Sequence, residues 1–478
     1  MKEFYYNIED EIMDVSVKFL GAAQSVTGSK YLLEIDHYRL LIDCGLFQGL
    51  KELRLRNWDS LPINASSIDA IVLTHAHIDH SGYLPRIVKE GFTGSVYCTS
   101  ATAALLEIML LDAAKLQEEE AIYAHKKGYS KHNNPLPLFS TKDAEIALNL
   151  LKGYEYNESV TLSEAIQIVF HDAGHILGSS IVELLLTGQQ HNKTIVFSGD
   201  LGRYDQPLHE APSVLTSADI LFVESTYGNR VNPPENTEKQ FAELINEALQ
   251  KNGCLLIPSF AVGRTQLLLY YLYTLMEKQL IPSTAVYIDS PMAINTTSLY
   301  KKYRRYHKLA LDQFKESSIF DYEQFSYYRN QEQSMNLNEI KDSSIIISAS
   351  GMCTGGRILH HLYHRLPKRE DTVLFVGYQP VGTRGRKILE GDQKIRIFGM
   401  EVSVKCSVRH LNGLSAHADQ SELLHWLGNF ESAPKMTFIV HGEIESANTL
   451  KGEIAETHQW NNVVVPQYLE SFQLFTEI

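Results

Sequence analysis

Six residues, His75-Ala76-His77-Ile78-Asp79-His80, constrain this chain more than any other segment. They follow an apolar run, Ala70-Ile71-Val72-Leu73, and lead into Ser81-Gly82, so they read as a tight loop leaving a buried strand. Alternation along extended backbone sets His75 and His77 on one side. Asp79 and His80, past the turn, can face a second point nearby. Imidazole nitrogen and carboxylate oxygen suit borderline cations such as Zn²⁺, whereas Mg²⁺ favours oxygen alone. The spacing therefore predicts a pair of metal ions. The rival reading, a loop of incidental polar residues, needs three His and an Asp to fall in six positions by chance.

A chain of 478 residues exceeds what one core usually supports, so two domains are expected. With 44% hydrophobic and 21% charged residues it has the make-up of a soluble globular enzyme. No apolar run approaches the ~18 residues of a membrane span. Met1 to Asp14 is acidic and lacks a signal peptide's basic region and apolar core. Cys44, Cys98, Cys254, Cys353 and Cys406 form no CxxC pair, and a reduced, cytoplasmic protein is expected. The net charge of −14 argues against a polyanion partner, but it is segregated. Asn229 to Ser407 holds 23 Lys and Arg against 18 Asp and Glu, and the remainder 20 against 39. A polyanion can bind locally at the basic middle.

The first part reads as strand after strand. Val15 to Phe19 alternates, Tyr31–Ile35 and Arg39–Ile42 form a hairpin, and Val96–Cys98, Ile166–Phe170, Ile181–Leu186 and Thr194–Phe197 follow. Ala101 to Lys127 is the one long helix, read as packing. From Asn229 helices and buried strands alternate: Glu235–Asn252, Leu255–Ile257, Arg264–Gln279, Ala285–Ile288, Ile345–Ile347 and Val373–Val376. That pattern predicts a doubly wound parallel α/β domain. After Val408 a helix over Leu423–Phe430 and a strand over Thr437–Val440 return to the first domain. With no Pro/Gly-rich linker, the middle is an insertion. The expected divisions are 1–228, 229–407 and 408–478.

Further polar residues end apolar strands: Asp43 after Leu41-Ile42, Asp200 after Phe197-Ser198-Gly199, His441 after Ile439-Val440. His175 precedes one, in Gly174-His175-Ile176-Leu177-Gly178-Ser179. A strand end holds a ligand rigidly at an open edge. HxHxDH with these residues resembles the metallo-β-lactamase fold. Glu224 in Val223-Glu224-Ser225-Thr226-Tyr227-Gly228, His417 in Leu414-Ser415-Ala416-His417-Ala418-Asp419, and His441-Gly442-Glu443 narrow the resemblance to the β-CASP nucleases. Pro258 to Arg264 and Ser350 to Arg357 are also typical of that family.

The resemblance implies a four-layer αββα sandwich with an inserted parallel-sheet α/β domain. It implies that His75, His77 and His175 hold one Zn²⁺, that Asp79, His80 and His441 hold the other, and that Asp200 bridges them. Mn²⁺ is an alternative metal. Asp43 is expected to fix the ligand loop from behind. In the family, His at the third motif goes with RNA rather than DNA cleavage, so His441 implies a ribonuclease acting on single-stranded RNA. The loop is similar to that of the endonuclease subunit of the mRNA 3′-end cleavage factor, in a bacterial-type chain without that subunit's long extension. His417 is the candidate general acid, oriented by Glu224, and Ser415 a donor to a phosphate oxygen.

Arg264, Gly356, Arg357 and Arg384 are expected to meet substrate phosphates. Lys301 to Tyr306 reads as a solvated helix face, and His360, His361 and His364 as surface or packing residues. Cleavage of DNA, hydrolysis of a thioester or lactam, and a partner-gated or silent subunit of an RNA-processing complex stand as rival readings. Homodimerisation is open.

Overall fold

The computed structural model describes residues 13–476 except 128–134, 190, 233–236, 310–318, 341–342, 378 and 381. Most of the acidic Met1–Asp14 segment, and the first two residues of the helix expected from Glu235, lie outside the described residues.

Two seven-stranded sheets face each other. The first runs, in spatial order, Ser471–Phe475, Val15–Phe19, Tyr31–Ile35, Tyr38–Ile42, Ala70–Val72, Ser95–Thr99 and Leu151–Tyr154. The second runs Val463–Val464, Met436–Val440, Ile220–Glu224, Lys193–Phe197, Ser180–Leu186, Ile166–Asp172 and Ser159–Ser163. Val15, Val17 and Phe19 point inward while Ser16 and Lys18 are half-exposed, as the alternation predicts. Between the sheets Phe197, Phe222 and Phe438 stack in sequence, with ring centres 4.3 and 4.9 Å apart. The helix Ser100–Lys127 packs on the outer face of the first sheet, and Gln420–Leu427 and Ile444–His458 on that of the second. These are the four layers of an αββα sandwich.

The middle of the chain forms a third sheet of six strands, all parallel: Phe325–Tyr327, Val286–Asp289, Ser344–Ser348, Cys254–Pro258, Thr372–Phe375 and Ser407–His410. Its strands are apolar on both faces because helices cover both. Thr237–Leu249, Arg264–Glu277 and Pro291–Lys302 lie on one side, Ile358–Arg365 and Arg384–Leu389 on the other. Ser407–His410 pairs with Thr372–Phe375, so the division expected after Ser407 cuts through a strand of this sheet. It is a half-exposed edge strand, Ser-Val-Arg-His, without the apolar run that marks its neighbours.

The insertion is not a loose appendage. Helix Ser100–Lys127 packs on Pro291–Lys302, and one apolar cluster joins Leu106, Met109 and Leu110 to Tyr300 and Tyr306. The run Lys301 to Tyr306 is therefore only partly solvated: Tyr306 is buried and its hydroxyl donates to Glu155. Near the other end of the long helix, Gln117 and Glu118 accept from the backbone of Leu138 and Thr141, which fits its reading as packing. Among the described residues no helix is long and apolar enough to cross a membrane, and all five cysteines are buried and unpaired.

Candidate metal centre

Four strand ends of the sandwich converge, and at each the chain passes through a left-handed residue. Asp43 itself has φ +60° after Tyr38–Ile42, and His441 has φ +49° after Met436–Val440. Gly174 (φ +69°) precedes His175, and Gly199 (φ +55°) precedes Asp200. Such a residue reverses the backbone in one step, so a polar side chain leaves the sheet toward a common point. For Asp43 and His441 the conformation costs on the order of 1 kcal/mol each, strain of the kind found at functional sites. His77 leads into a single helical turn, Ile78–Ser81, pinned by the Ser81 hydroxyl donating to the carbonyls of Ala76 and His77.

The ligand candidates form two groups that share Asp200. In the first, His75 Nε2 lies 3.1 Å from His77 Nδ1, which is 3.3 Å from His175 Nε2. Asp200 Oδ2 is 3.4 Å from His75 and 3.6 Å from His175. In the second, His80 Nε2 is 2.9 Å from His441 Nε2, which is 3.7 Å from Asp79 Oδ2. Asp200 Oδ1 is 3.3 Å from His80 Nε2 and from His441 Nδ1. The groups bring together all seven ligands named from the sequence.

Does this set fit divalent cations? Burial, followed by the charge of neighbouring rings, holds His75 and His175 below the usual imidazole range and His77 near about 3. Neutral imidazole is the form that binds metal. Burial works against ionising Asp79, but the nearby His441 and the surrounding rings outweigh it and lower its pKa. For His80 burial also opposes charge, yet Asp200 and Asp43 raise its pKa well above normal. A cation held at Nε2 would take the place of that proton. Asp200 Oδ1 and His175 Nδ1 are buried without a hydrogen-bond partner, and among the described residues the ion pairs of Asp79 and Asp200 are with imidazoles alone. The set fits divalent cation binding better than it fits itself.

Behind the ligands a hydrogen-bonded layer fixes ring orientation. Asp43 Oδ2 meets His80 Nδ1 at 2.6 Å, leaving Nε2 for the centre. Thr74 donates to Asp43 from its backbone at 2.8 Å and its hydroxyl at 3.0 Å, and Ser29 at 3.1 Å. Thr226 Oγ1 lies 3.1 Å from His441 Nδ1. Ser29, Thr74 and Thr226 were not singled out from the sequence. The available signal was position, since Thr74 directly precedes His75 and Thr226 lies two residues past Glu224.

Glu224 ends Ile220–Glu224 fully buried, accepts from the Leu201 amide at 2.7 Å and faces His417 Nδ1 at 3.3 Å. Ala418 donates to Leu201 O, so the His417 loop is fastened beside the Asp200 loop. His417 Nδ1 is 3.9 Å from Asp200 Oδ2, and its ring lies tilted 4.4 Å from that of His175, with Tyr227 edge-on at 5.8 Å. Burial disfavours the imidazolium, but the Glu224 and Asp200 carboxylates prevail and lift it to about 10. Ser415 Oγ accepts from the His417 amide at 3.2 Å.

Three of the four phosphate-contact candidates, Arg357, Arg384 and Gly356, fall elsewhere. Arg357 is spent on Asp289, Tyr328 O and Arg329 O, and Arg384 on Arg396 O and Thr354 O. Gly356 serves tight packing: at φ +80° its Cβ would come 2.6 Å from Ala349 O. Arg264 donates to Val376 O but stays in electrostatic reach of Tyr227, hence beside His417. The sequence shows a cation without showing which loop carbonyls lack a donor. His361 is buried on Asp289 at 2.7 Å, His360 stacks on Phe398, and His364 is exposed.

Imidazoles and carboxylates gathered at the strand ends of an αββα sandwich, with an α/β insertion alongside, define a metal-dependent hydrolase. Family models agree: a metallo-beta-lactamase superfamily domain matches residues 32–208, a Beta-Casp domain 265–388, and a Zn-dependent metallo-hydrolase RNA specificity domain 401–466. Ribonuclease TTHA0252 of Thermus thermophilus is 39% identical over 428 residues, 89% of this chain and 92% of its own. Transcription termination factor FttA of Methanococcus maripaludis is 29% identical over 473 residues, 96% of this chain and 72% of its own. A solved Enterococcus faecalis V583 protein of unknown function shares the fold at 12% identity (TM-score 0.52), over 96% of this chain and 100% of its own. The chain belongs to the β-CASP family of metal-dependent nucleases in the metallo-β-lactamase superfamily.

Proposed function

We propose that this chain is a cytoplasmic ribonuclease that cuts single-stranded RNA internally, with two Zn²⁺ ions at the Asp200 centre. His75, His77 and His175 would hold one ion and Asp79, His80 and His441 the other. Cations held there would supply neutralisation of phosphate charge and a lowered pKa for water, so that hydroxide is available near neutral pH. Asp43 keeps His80 turned so that Nε2 faces the centre. His417, protonated, gives its proton to the leaving 3′ oxygen. Glu224 holds its Nδ1, so Nε2 is the donating atom. Ser415 accepts from the His417 amide and keeps its own proton for a phosphate oxygen.

The observation that carries this reading is the His417–Glu224 pair set against Asp200. Hydrolysis of a lactam or thioester has no need of a second acid so placed, whereas a ribose oxygen leaving from phosphate does. RNA is favoured by His441, by the RNA specificity model over 401–466 and by the name of the Thermus relative.

The test is cleavage of 5′-labelled single-stranded RNA and its DNA counterpart by wild type, His417→Ala and Asp79→Ala, with bound metal counted by mass spectrometry. Wild type gives internal RNA products and spares DNA, His417→Ala keeps its metal but not its activity, and Asp79→Ala loses metal. Metal-loaded wild type that cuts neither polymer, or both alike, overturns the reading.

A further inference from the structure

One face of the inserted domain combines exposed rings with positive charge, and the chemistry above makes no use of it. The hairpin of Lys394–Ile397 and Met400–Ser403 turns at Phe398-Gly399. Phe398 is 50% exposed at that tip with φ +51°. Both facts run against a large apolar residue: the ring gains little from burial, and left-handed backbone costs about 1 kcal/mol where a Cβ is present. The ring lies 4.6 Å from His360 and 6.3 Å from Tyr363, which is 5.2 Å from His364. The three helical residues share the outer face of Ile358–Arg365, while Ile358 and Leu362 enter the core. Met400, also 50% exposed, meets the Tyr363 hydroxyl.

The charge around this row is opposite to that of the molecule. Arg384 to Lys405 carries six Lys and Arg against three Asp and Glu, in a chain of net −14. Lys387 and Arg396 are exposed there. A chain of contacts links this face to the metal centre near the C-terminal ends of the parallel strands, where α/β sheets take their ligands. Tyr227 touches His417 and Arg264 holds Val376 O. Gln379 then links Gly377 to Gly351, and Arg384 links Thr354 to Arg396.

We infer that the Phe398 face is a stacking platform for the bases of single-stranded RNA whose scissile phosphate lies at the metal centre. The inference rests on the ribonuclease reading. Every base offers a π-face, so such a platform grips a strand without reading its sequence. Duplex RNA hides those faces and is not held. A protein partner could use the rings, but it has no general need of the surrounding cations.

The test compares steady-state cleavage of RNAs of roughly 4 and roughly 16 nucleotides, the span of known single-strand sites. Phe398→Gly suits the left-handed tip and leaves the fold intact, and Phe398→Trp restores a ring. Phe398→Gly raises KM for the longer RNA about tenfold with kcat unchanged, spares the shorter RNA, and is rescued by Phe398→Trp. An unchanged KM for the longer RNA, or equal losses on both, overturns the platform while ribonuclease activity stands. Wild type that cuts neither RNA brings down both readings. Self-association lost in Phe398→Gly with RNA kinetics unaffected makes the face a protein interface and overturns the inference.

Discussion

Two clusters of polar residues sit at strand ends in this molecule, and they differ in how their hydrogen bonds add up. In the inserted domain Asp289 ends Val286–Asp289 fully buried, and three donors answer its carboxylate: Arg357 at 2.7 Å, Ser334 at 2.6 Å and His361 at 2.7 Å. In the sandwich Asp200 is equally buried, but its neighbours are imidazoles that crowd one another at 2.9 to 3.3 Å. In the first cluster both Asp289 oxygens are answered by donors, and only His361 Nδ1 is left buried without a partner. The second is left with surplus lone pairs that a cation would satisfy. A buried acid after a strand is thus no sign of a site; donor–acceptor imbalance around it is.

Substitutions can break this contrast, and the largest effect falls on the unbalanced cluster. Asp200→Ala should abolish RNA cleavage and leave bound metal well below wild type by mass spectrometry, with native circular dichroism retained. His417→Ala, outside the ligand set, should lower kcat by roughly 10²- to 10⁴-fold, as loss of a general acid does, with metal content unchanged. The balanced cluster should answer in stability instead. Asp289→Asn leaves His361 and Arg357 without their counter-charge and should cost about 3 kcal/mol in urea unfolding, at unchanged activity per folded molecule. Asp43→Asn touches only the layer behind the ligands and should weaken metal affinity about 10- to 100-fold in a chelator competition. A chelator should lower the melting temperature of wild type and of Asp289→Asn by a similar interval, since metal bound only to the native state stabilises it by mass action. An Asp289→Asn protein that lost metal would erase the distinction.

The convergence of these side chains was legible because the motif is dense and because apolar strands frame each member. His75, His77, Asp79 and His80 share six positions, and Asp43, Asp200 and His441 each close an apolar run. The layers were legible too, since alternation in Val15–Phe19 and doubly apolar strands such as Ile345–Ile347 leave distinct patterns. What stayed hidden has a physical cause in each case. Ser407–His410 is an edge strand whose pairing lies on one side only, so no apolar run marks it. Arg357 and Arg384 look like phosphate ligands in one dimension, yet the carbonyls they satisfy become neighbours only after the parallel strands assemble. Thr74 and Ser29 act on Asp43 from 31 and 14 positions away, and a lone hydroxyl carries no periodicity.

The interleaving of the two sheets has a consequence for how the molecule comes into being. His80 and His441 meet across 361 positions, and Ser471–Phe475 completes the sheet that Val15–Phe19 began. At a synthesis rate of ~5–20 residues per second, tens of seconds separate the emergence of those two histidines from the ribosome. The inserted domain is complete only near the end of that interval, once Ser407–His410 has emerged, and the second group still lacks His441 and Met436–Val440 has yet to join its sheet. If the proposed ligand assignment holds, a nascent or truncated chain lacks part of its metal centre until His441 has emerged.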